Sequence, residues 1–213
     1  MSLNTSPGKI VIISSPSGGG KTSICRAILE KERRDENWTF SVSYTTRQPR
    51  EGEVQGREYY FVDEPEFDRL VADGFFAEHF RVHLYKYGTP RGPMEEVLRN
   101  GGVMLLDVDV QGARRIVSEY PDAISIFVLP PSVSVLQKRL EKRGTETPEQ
   151  QQVRYKNALE EMRSLYEYRA YGFEYVVINE ELDRAVRNVL SIVEAHACRL
   201  DKIDPEHIRR ITG

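Results

Sequence analysis

The sequence predicts an α/β fold in which helices flank a parallel sheet, and two patterns lead to that prediction. Short, nearly unbroken apolar runs rich in Val and Ile are typical of strands covered on both faces. They lie at residues 9–14, 103–108, 123–129 and 175–179. Helical patterns lie between or after them, at residues 20–34, 132–142, 148–169 and 181–197. Strands that alternate with helices indicate a parallel sheet with right-handed crossovers.

Length, charge and cysteine content narrow the class of protein. A chain of 213 residues can bury one good core without disulfide staples. The net charge of −3 argues against a nucleic-acid partner, which calls for a strongly basic surface. Cys25 and Cys198 fit no metal-ligand spacing, which predicts a reduced, cytoplasmic setting. No apolar run approaches the roughly 20 residues of a membrane span, so no membrane partner is predicted, whereas a homo-oligomer stays open.

The segment from about residue 40 to 92 interrupts the alternation of strands and helices. It carries RQPREGEVQG, a stretch rich in Pro and Gly that cannot form a regular helix. The aromatic-rich REYYFV follows, and then a short helical pattern near residues 64–72. The sequence therefore predicts that an α+β subdomain is inserted into the core.

The stretch SPSGGGKT at residues 15–22 lies between a predicted strand and a predicted helix. The phosphate-binding P-loop pattern is G-x-x-x-x-G-K-[ST], and Ser15 stands where the leading Gly would be. Such a loop and the following helix N-terminus point their amides at one anion. Lys21 would reach the β- and γ-phosphates, and the Thr22 hydroxyl would ligate Mg²⁺. If residue 15 needed a positive φ, a Ser there would cost about 1 to 2 kcal/mol, which weakens a fold without abolishing a site.

The loop thus predicts a P-loop core that binds a nucleoside triphosphate. The predicted triphosphate-binding residues are Ser15, Pro16, Ser17, Gly18, Gly19, Gly20, Lys21, Thr22 and Ser23. The alternative is a flexible Gly-rich turn capped by Ser or Thr, which the flanking strand and helix disfavour.

A second anion site is predicted in the inserted segment. Arg47 and Arg50 lie on an extended or looped stretch, because Pro49 forbids a helix there, and Tyr59 follows downstream. Guanidinium forks and a phenol can cradle a phosphate. Taken alone, charged loop residues are more often simply solvated, so the residues by themselves leave both interpretations open.

Blocks in a fixed order after the P-loop resemble the guanylate kinase family. They read SVSYTTRQPREGEVQGREYYFV, FFAEHF, YGTP, LLDVDVQG and KRLEKRGTET. The family P-loop reads G-P-S-G-x-G-K-[ST], from which only Ser15 departs, and the resemblance runs from about residue 9 to 196. It implies a single guanylate-kinase-like domain over residues 1–213. The implied core covers about 1–39, 93–131 and 171–213, the GMP-binding subdomain about 40–92, and a helical lid about 132–170.

The resemblance implies transfer of the γ-phosphoryl group of ATP to GMP or dGMP, with Mg²⁺ as cofactor, to give ADP and the diphosphate. The residues implied to hold the GMP phosphate are Arg47, Arg50, Tyr59 and Tyr87. The residues implied to surround guanine are Ser43, Glu78, Thr89 and Asp107. Guanine presents two donors on one edge, N1–H and the N2 amino group, and a buried carboxylate such as Glu78 can accept both. AMP lacks that edge and would leave the carboxylate unpaired.

The strand VMLLDVD ends in two carboxylates, as a Mg²⁺-facing strand requires. Asp109 is predicted to hold Mg²⁺ through water together with Thr22, although the two aspartates could share both tasks. Asp109 also suits the N-cap of a helix before VQGARRI.

The lid segment adds further basic residues. Arg139 and Arg143 are spaced i and i+4, and Arg154 lies on a helix that the capping residues Thr147 and Pro148 start. The resemblance assigns these arginines to the phosphates. The predicted catalytic residues are Lys21, Arg47, Arg139, Arg143 and Arg154, and Asn179 is a weaker candidate for contacting adenine.

The chain departs from the family pattern at Leu84 and Tyr85, which replace Gly and Asn before Tyr87. Two alternatives therefore accompany the kinase. One is a catalytically inactive phosphopeptide-binding module, which the retained Lys21 and Thr22 disfavour. The other is a related kinase with a different acceptor, which the guanine-facing residues disfavour. The polar C-terminal tail is given no function.

Overall fold

The strands of the computed structural model form two separate sheets. The structure describes residues 8–32, 37–82, 84–142, 148–168, 172–203 and 205–212. In chain order the elements are β1 (Lys9–Ser14), α1 (Lys21–Lys31), β2 (Trp38–Phe40), β3 (Tyr44–Thr45), β4 (Tyr60–Phe61), α2 (Glu64–Ala72), β5 (Phe76–Val82), β6 (Tyr85–Pro90), α3 (Arg91–Arg99), β7 (Val103–Asp107), α4 (Val110–Glu119), β8 (Ile124–Leu129), α5 (Val133–Glu141), α6 (Pro148–Tyr168), β9 (Tyr175–Ile178), α7 (Leu182–Ala197) and α8 (Pro205–Thr212). Over these ranges no helix combines the length and the apolar character that crossing a membrane requires.

The larger sheet is parallel throughout and has the strand order β2-β7-β1-β8-β9. Alternate residues of its central strand face opposite layers, as the period of two along a strand requires. Val11 and Ile13 pack with α1 and α7, whereas Ile10 and Ile12 pack with α3 and α4. Both faces are therefore covered, and the predicted parallel α/β architecture is confirmed. Because β1 is central, its carboxyl end and the loop that follows lie in the middle of the sheet edge.

The smaller sheet has the order β4-β3-β6-β5, with β3 parallel to β4 and antiparallel to β6. Its core is aromatic: the rings of Phe67 on α2 and Phe76 on β5 stack with centroids 4.8 Å apart. Asp63 begins α2 by accepting a hydrogen bond from the amide of Glu66. The sheet occupies residues 44–90, inside the segment where the sequence predicted an α+β insertion.

Helices α5 and α6 pack against each other through Leu136, Leu140 and Ala158. The Ser132 hydroxyl accepts the amide of Val135 and so caps the start of α5. Helix α6 begins at Pro148, as predicted. Thr147, which was predicted to cap the start of this helix, lies outside the described residues.

Several bounds differ from the sequence prediction. Helix α1 begins at Lys21 rather than at residue 20, because Gly20 takes a left-handed conformation with φ 97°, and it ends at Lys31 rather than at residue 34. Helices α3 and α8 were not predicted from the sequence. Gly92 and Pro93, at the start of α3, are residue types that are more typical of turns, although Pro is tolerated in a first helical turn.

Candidate active site

The glycine-rich loop at residues 15–20 joins the carboxyl end of β1 to the start of α1. Its left-handed positions fall on Gly18, with φ 84°, and Gly20, with φ 97°. The amide of Gly19 donates to the Pro16 carbonyl at 2.8 Å, and the Ser15 hydroxyl donates to the same carbonyl at 3.0 Å. Ser15 is thus accommodated by a bond inside the loop. Its Cβ also lies only 2.7 Å from where a Cβ on residue 19 would be, so Ser15 and Gly19 fit each other.

Lys21 and Thr22, the first two residues of α1, both contact Asp107 at the carboxyl end of β7. Lys21 Nζ lies 2.7 Å from Asp107 Oδ1, and the Thr22 hydroxyl donates to Asp107 Oδ2 at 2.9 Å. Burial disfavours the charge on Lys21, but the Asp107 carboxylate outweighs burial and raises the pKa of Lys21 above its usual value. The P-loop lysine is therefore held in its cationic form next to the loop.

Asp109 sits two residues further along, where the chain has left β7 and enters α4. Its Oδ1 accepts the amide of Gly112 at 2.8 Å, so Asp109 caps α4, as the sequence suggested. Burial raises the pKa of Asp109, although the Gly112 amide and the charge of Lys21 oppose that rise. Of the two aspartates, Asp107 is therefore the one in direct contact with Lys21 and Thr22.

The carbonyl of Gly19 at the top of the loop accepts hydrogen bonds from two other parts of the chain. Asn179 Nδ2, just after β9, donates to it at 2.9 Å, and Arg139 Nη1 of α5 donates at 3.3 Å. Arg139 Nη2 also donates to the Asn179 carbonyl at 3.0 Å. The glycine-rich loop, helix α5 and the residue after β9 therefore meet at one atom.

A second cluster of cationic and phenolic side chains lies on the smaller sheet and the loop at residues 46–59. The Arg47 guanidinium carbon lies 5.4 Å from the centroid of the Tyr59 ring, and the Tyr59 and Tyr87 rings meet edge to face at 5.9 Å. Burial raises the pKa of Tyr59, and the charge of Asp107 adds to that rise. The phenol of Tyr59 is therefore close enough to Asp107 to be influenced by its charge.

Glu78 on β5 is a buried carboxyl whose side chain reaches its cross-strand neighbour Thr89. The Thr89 hydroxyl donates to Glu78 Oε1 at 2.5 Å, whereas Oε2 has no hydrogen-bond partner among the described residues. A Cβ on Gly112 of α4 would lie 3.3 Å from Oε2. Burial raises the pKa of Glu78 to about 7; the bond from Thr89 opposes this rise and the charge of Asp109 reinforces it.

The remaining predicted site residues differ in their exposure and in their contacts. Arg50 is exposed and enters the site's bonding through its backbone amide, and Ser43 is half-buried, with its carbonyl accepting the amide of Tyr60 at 2.9 Å. Ser23 is exposed on α1. Arg154 is partly buried on α6. Arg143 lies outside the described residues, and α5 ends at Glu141, so the predicted shared helical face with Arg139 stays a prediction.

Two carboxylates at the site were missed from the sequence. Glu161 of α6 has its pKa raised to about 7 by burial and by the charge of Asp109. Its spacing from Arg154, seven residues on one helix, could have placed both on one face. Glu53 pairs with Arg47, at 2.9 Å between Oε1 and Nη2. No periodic pattern marks a residue in an irregular loop, so no comparable signal pointed to Glu53.

A parallel sheet whose central strand runs into a glycine-rich loop, with Lys and Thr resting on the carboxylate of the next strand, defines an α/β protein of the P-loop class. The model of the guanylate kinase family matches residues 7–196, and the chain belongs to that family.

Similar proteins cover most of the chain. The guanylate kinase of Caldanaerobacter subterraneus subsp. tengcongensis is 42% identical over 92% of this chain and 91% of its own length. That of Symbiobacterium thermophilum is 43% identical, over 92% of this chain and 89% of its own length. The crystal structure of guanylate kinase from Anaplasma phagocytophilum superposes with a TM-score of 0.74 at 33% identity, covering 92% of this chain and 89% of that chain.

Proposed function

We propose that this protein transfers the γ-phosphoryl group of ATP to GMP, and also to dGMP, giving ADP and the corresponding diphosphate in purine nucleotide metabolism. Membership of the guanylate kinase family supports the reaction. The observation that carries the choice of GMP is the carboxyl of Glu78, which is 2% exposed and has one oxygen without a partner among the described residues. Guanine supplies two donors on one edge, and adenine does not.

The donor half of the proposed site is the P-loop. The backbone N–H groups of Ser17, Gly18 and Gly20 and the N-terminus of α1 would surround the ATP phosphates. Lys21 would neutralise charge on the β- and γ-phosphoryl groups. Asn179 is proposed to contact adenine, because its side chain lies on the Gly19 carbonyl at the loop. Ser23 is also proposed to contact the ATP phosphates.

The residues present fit Mg²⁺, which would polarise the transferring phosphoryl group. Mg²⁺ prefers oxygen ligands, keeps several waters and binds through one or two carboxylates plus substrate phosphates. Thr22 and Asp107 supply such oxygens within 2.9 Å of each other, with Asp109 two residues away. We assign Thr22 to the metal and both aspartates to the water shell around it, with Asp107 the nearer to Thr22 and Lys21.

The acceptor half is proposed to read phosphate and base separately. Arg47, Arg50, Tyr59 and Tyr87 would bind the GMP phosphate. Glu78 would accept guanine N1–H and the N2 amino group, assisted by Ser43 and Thr89. The proximity of Glu78 to the start of α4 supports Asp109 as part of the polar lining on that side of the acceptor. Asp107, which ends β7 two residues earlier, is proposed to face guanine as well.

The chemistry needs no strong general base. A phosphate monoester has a second pKa of about 6, so the attacking oxygen of GMP is already anionic at neutral pH. Rate acceleration would come from alignment of the two phosphates and from charge neutralisation by Lys21 and the lid residues Arg139, Arg143 and Arg154. Closure of the lid over both substrates would keep water from acting as the acceptor.

The division into core, GMP-binding subdomain at about 40–92 and lid at about 132–170 belongs to this proposal. The smaller sheet at residues 44–90 and the paired helices α5 and α6 support it. A cytoplasmic location is part of the same proposal, because the described cysteines Cys25 and Cys198 are both free thiols.

The test is an ADP-release assay with Mg-ATP and, separately, GMP, dGMP, AMP, CMP and UMP. We expect turnover with GMP and dGMP alone. In a Glu78→Ala variant, turnover with GMP should fall by at least about tenfold and the preference over AMP should narrow. GMP binding without turnover of any nucleotide would contradict the kinase and favour a binding module.

A further inference from the structure

The loop at residues 46–59 contains a carboxylate that the proposed reaction does not use. Glu53 Oε1 accepts a hydrogen bond from Arg47 Nη2 at 2.9 Å, and Glu53 Oε2 accepts the backbone amide of Arg50 at 2.8 Å. A single side chain thus binds both of the arginines that are proposed to hold the acceptor phosphate.

The contact is part of a tight turn. The amide of Glu53 donates to the Arg50 carbonyl at 3.0 Å, so residues 50 and 53 are joined in both directions. Gly52 supplies the positive φ, 82°, that this turn requires. Because Oε2 is tied to the turn itself, Oε1 can reach Arg47 only from one fixed direction.

Arg47 is held on several sides. Its Nη1 donates to the Gln48 carbonyl at 2.8 Å, and its guanidinium carbon lies 5.4 Å from the Tyr59 ring centroid and 5.7 Å from that of Phe61. The hydrogen bonds to Gln48 and Glu53 use two of the five N–H donors of a guanidinium. The remaining N–H groups of Arg47 can donate hydrogen bonds to a phosphate, and the contacts above already fix the plane of the guanidinium.

Both charges of the pair persist at neutral pH. The side chains of Arg47 and Glu53 are 10% and 17% exposed, so water screens their attraction only in part. Burial works against each charge, but the pairing lowers the pKa of Glu53 and raises the pKa of Arg47. The pair therefore needs no rearrangement of protons when a phosphate binds.

We propose that Glu53 is a positioning residue for the acceptor: it fixes the Arg47 guanidinium and the Arg50 turn in the arrangement that binds the GMP phosphate. The inference rests on the proposed function, because it takes Arg47 as a phosphate ligand. An alternative role, in which Glu53 occupies the place of the phosphate and competes with it, predicts the opposite change in affinity.

The loop offers a matched control in Glu58. Glu58 also accepts one backbone amide, that of Val54 at 2.8 Å, and it contacts two guanidiniums, that of Arg57 at 2.8 Å and that of Arg26 on α1 at 3.5 Å. Glu58 makes no hydrogen bond to Arg47 among the described residues, and the side chain of Arg57 is 61% exposed. Glu53→Gln and Glu58→Gln therefore make the same chemical change in the same loop, and only the first reaches the phosphate-binding arginine.

The experiment measures kcat and KM for GMP and for ATP in both variants, with thermal melts to confirm folding. For Glu53→Gln we expect KM for GMP to rise about tenfold or more, with KM for ATP within twofold of wild type, because a charge-assisted bond to Arg47 is lost. For Glu58→Gln we expect both constants within twofold. In an Arg47→Lys background, the effect of Glu53→Gln on KM for GMP should shrink below about threefold, since the two residues act as a unit.

Three results would overturn the inference. Unchanged KM for GMP in Glu53→Gln would show that Arg47 needs no support, and a lower KM would show competition with phosphate. Equal losses in the Glu53 and Glu58 variants would reduce the role to loop stability. Should Glu53→Gln fail to fold, Glu53→Asp, which keeps the charge on a shorter arm, must still raise KM for GMP more than KM for ATP. A wild-type protein that phosphorylates no nucleotide would instead contradict the proposed function.

Discussion

The glycine-rich loop at residues 15–20 and the arginine loop at residues 46–59 are both proposed to donate hydrogen bonds to an anion, but their shapes have different causes. The first takes its shape from backbone conformation, with left-handed φ angles at Gly18 and Gly20 between a buried strand and a helix. The second takes its shape from side chains, chiefly the bonds of Glu53 to Arg47 and to the Arg50 amide. A site shaped by the backbone tolerates few added atoms, whereas a site shaped by side chains depends on the charges of particular residues.

The largest effect is expected at Lys21. Lys21→Met removes the cation that would stabilise the transferring group and leaves the Asp107 carboxylate without its partner at 2.7 Å. We expect kcat to fall by about 10³-fold or more in steady-state assays. Lys31→Met, on the exposed last turn of the same helix, should leave kcat within twofold. A Lys21→Met enzyme within tenfold of wild type would show that the loop amides suffice.

Glu78, which lies on β5 in the proposed acceptor half of the site, tests the cost of burying a charge there. Its pKa in the folded protein is about 7, above the ordinary 4.5, so it contributes stability that is complete below pH 4.5 and is lost as pH rises through 7. Glu78→Gln has no such loss. Without GMP, the free energy of unfolding of the variant relative to wild type should therefore rise by about 3 kcal/mol between pH 4.5 and 8.

Urea unfolding at several pH values measures that difference. Glu161 also has a pKa of about 7, but it is present in both proteins and cancels in the comparison. A difference that stays flat with pH would mean that Glu78 ionises in the folded protein as readily as in water. GMP should narrow the difference above pH 7, because guanine then pairs the carboxylate.

Gly19 tests the glycine-rich loop, whose shape comes from the backbone. A Cβ at this position would lie 2.7 Å from the Cβ of Ser15, so Gly19→Ala must displace the loop. We expect kcat/KM for ATP to fall by about 10- to 100-fold. Adding Ser15→Gly removes the two nearest contacts, which the Ser15 side chain makes, and leaves the Pro16 carbonyl oxygen at 3.0 Å. The double variant should recover activity to within about threefold of wild type. A loss that persists in the double variant would show that residue 19 needs Gly for a reason other than Ser15.

The smallest effect is expected at the turn between β5 and β6. Leu84 is 73% exposed and Tyr85 is 39% exposed, while Tyr87 and Thr89 are held by pairing with Phe80 and Glu78. Changing Leu84→Gly together with Tyr85→Asn should therefore shift kcat and KM for GMP by less than about twofold. A larger shift in the kinetic constants would mean that the tip of this turn controls the acceptor site.

The sequence predicted the core better than the insertion, for physical reasons. The apolar run at residues 9–14 is long enough to show that both its faces are covered, and β1 has those bounds. Strands β3 and β4 have two residues each, which is too short for any period to register. Their pairing depends on contacts between distant parts of the insertion, which no local pattern contains.

The site was likewise predictable where a motif has fixed spacing. Lys21 and Thr22 follow from the P-loop pattern, but the separate surroundings of Asp107 and Asp109 do not. Both aspartates lie at the end of an apolar run, and only the structure shows that the strand stops at Asp107 and that Asp109 has become a helix cap. The role of Glu53 could not be predicted from the sequence, because it depends on the geometry of the turn at residues 50–53.

The central place of β1 also bears on how the chain reaches its native state. β1 pairs with β7, which begins at Val103, and with β8, which begins at Ile124. A ribosome must therefore add almost half of the chain after KIVIIS before either neighbouring strand exists. Until then an apolar segment with two open edges remains without its native partners, a condition that favours association with other chains. The strand that ends in the phosphate loop is thus made first and completed late, and chaperone dependence is expected to concentrate there.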